Sequence, residues 1–315
     1  MPLPHDPSLP VLATHSGKFH CDEVFAYAVL RLALGLREAG RDHILRRTRK
    51  PELIESAGIV WDVGFVFDEA AKRFDHHQRG APLRADGTPF SSAGLVWRVY
   101  GEAAMAALLR PSGSERFAAA IAAELDEAVV RRIDEIDNGT TTDRPDSLGL
   151  ATLVGDFNPS WDEPEANGPT AGDEAFLEAA DFVLGMLIRR VDGLRARHAA
   201  EATVLAAHAA GEDPRVLVLE RGMPWKNVVF THDLPVLFTV SPASNGNWML
   251  DAVPPEPGSF AQRLPLPEAW AGLETAALAA TSGVPDAVFV HLRRFVGAAR
   301  SREGAVAMAR KAMGL

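Results

Sequence analysis

The sequence predicts an α/β protein with a parallel-sheet domain in its N-terminal half and a smaller α+β domain behind it. Three observations carry this. Between residues 11 and 63, short apolar runs alternate with helix-periodic segments, the order that gives parallel strands joined by right-handed crossovers. Beyond residue 213 the texture changes to short strand candidates separated by turns. Between these regions, residues 173–210 form one Ala-, Leu- and Arg-rich run that reads as a single connecting helix. At 315 residues the chain also exceeds the size at which single cores stop growing, so two domains are the default.

Taken in order, residues 11–14 (VLAT) are an apolar strand, and residues 22–36 (DEVFAYAVLRLALGL) follow with helical spacing and acids in the first turn, where the helix dipole favours them. Residues 41–49 supply a short strand and 51–57 a short helix. Residues 59–63 (IVWDV) are a buried strand ending in Asp62 before Gly64. Residues 68–74 turn the chain back. The loop at 80–90 is rich in turn formers, and Ser91 or Ser92 is the expected N-cap of a helix running through Leu109. Residues 115–136 read as one further helix. Its end, IDEIDNG at 133–139, carries acids where cations are favoured, so Asp134 and Asp137 need another role, and metal binding would supply one. Residues 156–172, dense in Pro, Gly, Asn and Asp, fit a long loop or flap. In the C-terminal part, strands are expected at 215–219, 236–240 and 248–253, with Asn245-Gly246 as the hairpin turn between the last two. Residues 254–267 are extended, and a helix at 273–281, a strand at 287–292 and a helix at 301–313 close the chain.

Composition narrows the classes. No apolar run approaches a membrane span, and residues 1–10 hold neither the basic nor the apolar part of a signal peptide, so a cytoplasmic protein with no membrane contact is expected. The single cysteine, Cys21, excludes an internal disulfide and a cysteine-based zinc site. A formal charge of -10 gives no whole-protein attraction for nucleic acid, although a local basic groove is compatible with it.

The chemistry lies at the strand exits. His15, His20 and Asp22 follow the first strand, Asp62 ends the next buried one, and Asp75, His76 and His77 sit together in RFDHHQR. In a parallel sheet, ligands bind at the carboxyl ends of the strands. Singly, each residue has a plainer reading: a hydrogen-bonded structural histidine, an exposed turn, or in the case of Asp62 a cap for the next helix. Jointly, and with Asp137, these imidazoles and carboxylates are enough ligands for two divalent ions of the manganese, iron or zinc type. Two such ions clamp the attacking and leaving oxygens of a displacement at phosphorus and acidify a bridging water, which makes phosphoester or phosphoanhydride hydrolysis the natural reaction.

These residues also carry a resemblance. THSGKFHCDE, IVWDVG, RFDHHQR, SSAGL and DEIDNG, in this order and spacing, are similar to the motifs of the Myg family (melanocyte proliferating gene family) within the DHH phosphoesterase superfamily. The likeness continues through PWK at 224–226, GSFAQRLPLPEAWAGL at 258–273, VFVH at 288–291 and REGAVAMA at 302–309. It implies a DHH catalytic domain over 1–172, a connecting helix over 173–212, and a DHH-associated-like substrate-binding domain over 213–315. It implies that His15 and His20 bind one metal and that Asp22, His76 and Asp137 bind the other, with Asp62 bridging. His77 would face the scissile phosphate and Asp75 would orient a histidine, so that His77, Asp62 and Asp75 are the catalytic set. Many superfamily members have an aspartate at the position of His20. The imidazole makes the site softer and favours manganese, iron or zinc over magnesium.

The implied activity is 3'-to-5' exonucleolytic hydrolysis of RNA or short oligonucleotides. Arg263, His291 and Arg302 are the candidates for gripping substrate phosphates, Arg302 at an expected helix start where backbone N–H groups favour anions. Trp225 and Trp248 read as packing residues before they read as base-stacking ones. Two other readings stay open: a hydrolase of pyrophosphate or a dinucleotide, and a metal-stabilised binding protein without turnover. The oligomeric state is not legible.

Overall fold

The computed structural model describes residues 9–142, 148–163 and 172–315; residues 164–171 of the loop expected at 156–172 lie outside them. The chain divides into two compact units, Met1–Arg195 and Ala196–Leu315. The division falls inside the long helix.

The first unit is built on β1 (Val11–Thr14), α1 (Cys21–Leu34), β2 (Ile44–Arg47), α2 (Pro51–Glu55), β3 (Ile59–Trp61), β4 (Phe67–Asp68) and β5 (Arg73–Phe74). Its sheet has the order β2-β1-β3-β5-β4. β1 pairs in parallel with β2 and β3, and β3 in parallel with β5, but β4 runs antiparallel to β5. The sheet is therefore mixed, where a parallel one was expected. Residues 68–74, expected as a turn, supply parts of two strands too short to show an alternation of their own. Because the chain steps from β1 to one side and then back to the other, the strand order reverses at β1, and such a switch point opens a crevice at the strands' carboxyl ends.

Helix α1 is fixed at both ends. His20 is its N-cap, and the Glu23 carboxylate reaches back to accept the His20 backbone N–H at 2.9 Å. Gly35 ends it with φ 69°, a left-handed conformation that glycine adopts without penalty. Residues 21–30 are all buried, so this helix runs through the core, where Tyr27 stacks parallel to Trp61 at 6.0 Å. The Trp61 indole N–H donates to the Glu23 carbonyl at 3.0 Å, tying β3 to the first turn of α1.

After β5 come α3 (Ser92–Leu109), α4 (Ala118–Leu125), α5 (Arg131–Asp137), α6 (Leu150–Gly155) and α7 (Asp173–Ala209). The single helix expected at 115–136 is instead a 3-10 turn at Glu115–Phe117, then α4, a π-helical segment at Asp126–Val130, and α5. Ser91 is the N-cap of α3 by position, but its hydroxyl donates to Asp134 at 2.7 Å rather than capping. Asp134 thus has a structural role. It also accepts from the backbone N–H groups of Ser91 and Gly94 and pairs with Arg84, and it is fully buried. A Cβ on Gly94 would stand 2.5 Å from both Asp134 oxygens, so only glycine lets the two helices close over that carboxylate. With both oxygens so engaged, Asp134 is a structural acid and not the metal ligand expected.

The second unit holds β6 (Val216–Val218), α8 (Lys226–Thr231), β7 (Phe238–Pro242), β8 (Trp248–Ala252), α9 (Thr275–Ser282), β9 (Ala287–Val290), β10 (Val296–Ala299) and α10 (Arg302–Ala312). The sheet order is β6-β7-β8-β10-β9, with β6 parallel to β7 and the other pairs antiparallel. Asn245-Gly246 makes the β7–β8 connection, with Gly246 at φ 85°. Strand β10 and helix α8 had no distinct signal: β10 is the small-residue run VGAA, and α8 is a short helix rich in β-branched residues. α10 covers the sheet with Ala305, Met308 and Ala309, its N-cap Ser301 accepting from the Gly304 N–H at 3.0 Å. Trp225 is buried and Trp248 packs against the core, so both are packing residues. No helix among the described residues is long and apolar enough to cross a membrane.

Candidate metal centre

Four carboxyl-end segments of the first unit converge at the switch point. The turn after β1 delivers His15, the start of α1 delivers His20, Asp22 and Glu23, the end of β3 delivers Asp62, and the turn after β5 delivers Asp75, His76 and His77. Asp137 arrives from the end of α5. Asp62 sits at φ 55° and Phe65 at φ 58°, left-handed conformations that cost of order 1–3 kcal/mol for a residue with a side chain. That strain turns the chain sharply after β3 and aims the Asp62 carboxylate into the cluster.

Asp62 stands between two histidines. Its oxygens lie 3.2 Å from His15 Nε2 and 3.2 Å from His76 Nε2. His76 Nε2 is also 3.4 Å from Asp137 and 4.0 Å from Asp22. The Asp22 carboxylate accepts the Ser92 hydroxyl at 2.7 Å on one oxygen, while its other oxygen is buried without a hydrogen-bond partner. Glu23 is fully buried, with one oxygen 2.7 Å from His15 Nε2 but without hydrogen-bond geometry. Four groups of side chains bring ligand atoms within 4.8 Å of one another: His15, His20 and Glu23; His20, Asp22 and Asp137; Asp62, His76 and His77; and Asp22, Glu23 and Asp62.

The donor set fits divalent cations. Buried carboxylates left with orphaned oxygens cost free energy unless a cation compensates them. Without a cation, the cluster would hold protons in its place. Burial pushes the Asp137 carboxyl up to about 8, with repulsion from Asp22 adding to it. Burial likewise raises Glu23. Burial disfavours the His15 and His76 imidazolium ions, but hydrogen bonding to Asp62 outweighs it and holds them up at about 10 and about 9. Burial would raise Asp62, yet the two histidines hold it down at about 2. A cluster that gathers protons in this way is short of positive charge, which is what metal ions would bring.

Asp75 has a different task. One oxygen accepts the backbone N–H groups of His76 and His77 at 2.7 and 3.2 Å and meets His77 Nδ1 at 2.7 Å, while the other accepts the Phe65 N–H at 2.5 Å. With its lone pairs so engaged, Asp75 orients His77, whose imidazole is half exposed at the mouth of the pocket. The pocket is small, about 130 Å³, and is lined by His15, His20, Asp62, His76, His77 and Asp137 together with Arg49.

Glu23 and Arg49 were absent from the residues singled out by sequence. Glu23 read as an ordinary first-turn acid and does make the capping contact, but its carboxylate also reaches the cluster. Arg49 follows β2, and its guanidinium lies 3.1 Å from His15 Nδ1 and donates to the Ser16 carbonyl at 3.2 Å. Its only signal in sequence is its place at the exit of β2, the fourth parallel strand.

The three C-terminal candidates do not share a cavity. Arg263 donates to the carbonyls of Leu234 and Val236 at 2.7 and 3.0 Å. Arg302 pairs with Glu220 at 3.4 Å and lines a cavity of about 710 Å³. His291 lines a different recess, of about 1010 Å³.

Comparison with known proteins supplies the lineage. Residues 11–313 match the MYG1 exonuclease family model, described as Uncharacterised protein family (UPF0160). A MYG1 protein of Caenorhabditis elegans is 37% identical over 96% of this chain and 95% of its own length. The proteins called MYG1 exonuclease in Homo sapiens and Bos taurus are each 34% identical, over 96% and 98% of this chain and 85% and 86% of theirs. No solved structure matches. The chain belongs to the Myg family.

Proposed function

We propose that the chain is a two-metal phosphodiester hydrolase that removes nucleotides from the 3' end of RNA or short oligonucleotides. The observation that carries it is the Asp62 carboxylate held 3.2 Å from both His15 and His76 amid orphaned buried carboxylates. The relatives named exonuclease point the same way. In this reading the first unit is a DHH phosphoesterase domain and the second a substrate-binding domain, with Arg263, His291 and Arg302 as its first candidates.

His15, His20 and Glu23 would hold one ion, and Asp22, His76 and Asp137 the other, with Asp62 shared; the mixed imidazole and carboxylate set suits manganese, with iron or zinc as alternatives. Ions at those positions supply Lewis acidity at the phosphate and an acidified water for attack. The rest falls to the chain. Ser92 fixes Asp22 by its hydrogen bond, and Asp75 fixes the His77 ring through Nδ1. The hydrogen bond that His77 Nδ1–H donates to the Asp75 carboxylate raises the His77 pKa, so its Nε2–H would be available to donate to a phosphate oxygen or to hand a proton to the departing 3' oxygen. Arg49, exposed at the pocket wall, can pair with a second phosphate oxygen.

One feature favours a second reading. A pocket of about 130 Å³ accommodates little beyond a phosphate group, so pyrophosphate, or the phosphate of a dinucleotide with its nucleosides outside, would also be served there. A panel of substrates separates the two. With manganese-loaded protein, 5'-labelled RNA is expected to shorten stepwise from its 3' end and to resist when the 3' hydroxyl is blocked. Rapid cleavage of pyrophosphate with intact RNA would overturn the exonuclease reading.

A further inference from the structure

We propose that the second unit binds single-stranded nucleic acid in the recess beside α8 and the β9–β10 turn, with a base stacked on Phe260 and its phosphate held by Lys226, His291 and Arg293. The proposal rests on the nuclease reading above and deepens it.

Phe260 is 94% exposed, so its ring forgoes nearly all of the roughly 2 kcal/mol that burying a phenyl group returns. Single exposed apolar residues are common and by themselves mean little. This one stands at a recess of about 1010 Å³ whose walls also carry Phe295, 40% exposed, and the exposed His291. The His291 and Phe295 rings lie 4.6 Å apart, so two further planar faces are offered there.

The electrostatics select an anion. The chain has 42 acidic against 32 basic residues, yet no carboxylate lines this recess, while Lys226, Arg293 and His291 do. Among the described residues, neither the Lys226 ammonium nor the Arg293 guanidinium has an ion-pair or hydrogen-bond partner; Lys226 lies 5.6 Å over the Trp225 ring and is near enough to the partly buried Asp251 carboxylate for its charge to be felt there. By contrast, Arg302 pairs with Glu220, Arg310 with Glu212, and Arg263 donates to two carbonyls. His291 is set as well. Its Nδ1 accepts the Arg293 backbone N–H at 3.1 Å, which fixes the neutral tautomer that carries its proton on Nε2 as a donor.

A flat ring for stacking, cations for a backbone, and the amides of Asn227 and Gln262 in the same walls are the parts that grip an unpaired nucleotide. A duplex hides its base faces and could not use the ring. An acidic peptide has no face to lay on it.

The test is fluorescence anisotropy of a 5'-fluorescein-labelled short single-stranded RNA with the full chain in EDTA, so that no metal acts and no strand is cut. Phe260→Ala is expected to weaken binding about tenfold and Phe260→Trp to retain it, within the range for loss of one base–aromatic stack. Against the same strand made abasic, Phe260→Ala and the parent should bind alike. Arg293→Gln and Lys226→Gln should each weaken both strands and lower the salt slope by about 0.7. The proposal fails if the parent does not bind the strand, if Phe260→Ala binds like the parent, or if Phe260→Leu serves as well as Phe260→Trp. Hydrolysis of bis(p-nitrophenyl) phosphate by the manganese-loaded parent tests the metal centre separately, so each reading can fail without the other.

Discussion

The two units of this chain handle charge in opposite ways. In the first, carboxylates and imidazoles are withdrawn from water: Asp22, Glu23, Asp62, Asp75, Asp134 and His15 are all buried, and each is fixed by neighbours from at least one other segment. In the second, Arg263 is tied to backbone carbonyls, while Arg302 and Arg310 stay at the surface paired with single exposed acids and Lys226 and Arg293 line a recess. On the proposed function, the difference follows from what each unit would do. Groups that act on a reacting phosphate must not reorganise when charge develops, so their positions are fixed in advance at the expense of folding free energy. Groups that hold a long, solvated strand need accessible charge and flat surface, and their energies are individually small.

If that contrast is right, the largest effect of any single substitution belongs to Asp62. Asp62→Ala removes the carboxylate shared by His15 and His76, and is expected to eliminate at least one bound manganese per chain by elemental analysis and to lower turnover by well over 100-fold, beyond the 10–100-fold that a supporting residue costs. Retention of both ions and of activity would falsify the bridging role. Asp134→Ala comes next and acts on folding instead. It leaves three buried hydrogen-bond donors, the Ser91 N–H and hydroxyl and the Gly94 N–H, without an acceptor, while Arg84 keeps its two-point pair with Asp126 at 2.7 and 2.9 Å, for a loss of about 3–5 kcal/mol by urea titration. A milder change, Asp75→Asn, keeps the shape but loses the charge that orients His77; turnover should drop about 10–100-fold with manganese content intact.

The pH response sharpens the same contrast. His15 and His76 have folded pKa values of about 10 and about 9 against 6.5 unfolded, so what they contribute to stability is complete below 6.5 and is lost as pH rises through 9 to 10. Asp137, raised from 3.8 to about 8, is destabilising in its charged form, and its cost grows as pH rises from 3.8 to 8. In both cases the folded state binds more protons than the unfolded one. Metal-free protein should therefore lose stability between pH 5 and 8, by about 1.4 kcal/mol per pH unit for each extra proton held. Manganese must displace those protons, so its affinity should rise over the same interval with measurable proton release. A metal-free melting temperature that is flat from pH 5 to 8 would contradict this account of the cluster.

Much of the first unit was legible because its chemistry follows one geometric rule. β1, β3 and β5 each lead into an imidazole or a carboxylate, and a period-2 or period-3.6 pattern marks the strand or helix that delivers it. The residues at those three strand exits lie together; β2 exits instead into a cation, Arg49, which has no ligand chemistry to mark it in sequence. Local patterns misled where one residue serves two purposes. Glu23 caps a helix and also faces the cluster, so its cap role hid the other. Asp134 and Asp137 occupy equivalent-looking helical positions three residues apart, and only tertiary packing against Ser91 and Gly94 separates a structural acid from a site acid. The β4–β5 pair escaped notice because two-residue strands have no periodicity to read. In the second unit, Arg263 was chosen for its charge, while its hydrogen-bonding partners lie about 30 residues earlier in the chain.

The smallest predicted effects come from that last pair of choices, Arg263 and Arg302, which sequence treats alike. Arg302→Ala removes a half-exposed ion pair with Glu220, and such pairs are worth about 0–1 kcal/mol, so its urea midpoint should barely move. Arg263→Ala removes two donors from the carbonyls of Leu234 and Val236 and a stacking contact with Phe230 at 5.5 Å. Leaving partly buried carbonyls unpaired costs about 1–3 kcal/mol, so this variant should unfold at distinctly lower urea. If Arg263 is a structural tie and not a phosphate contact, the salt slope for single-stranded RNA should stay at the parent value in protein that is still folded. A reduced slope with unchanged stability would reverse the assignment and return Arg263 to the surface that grips the strand.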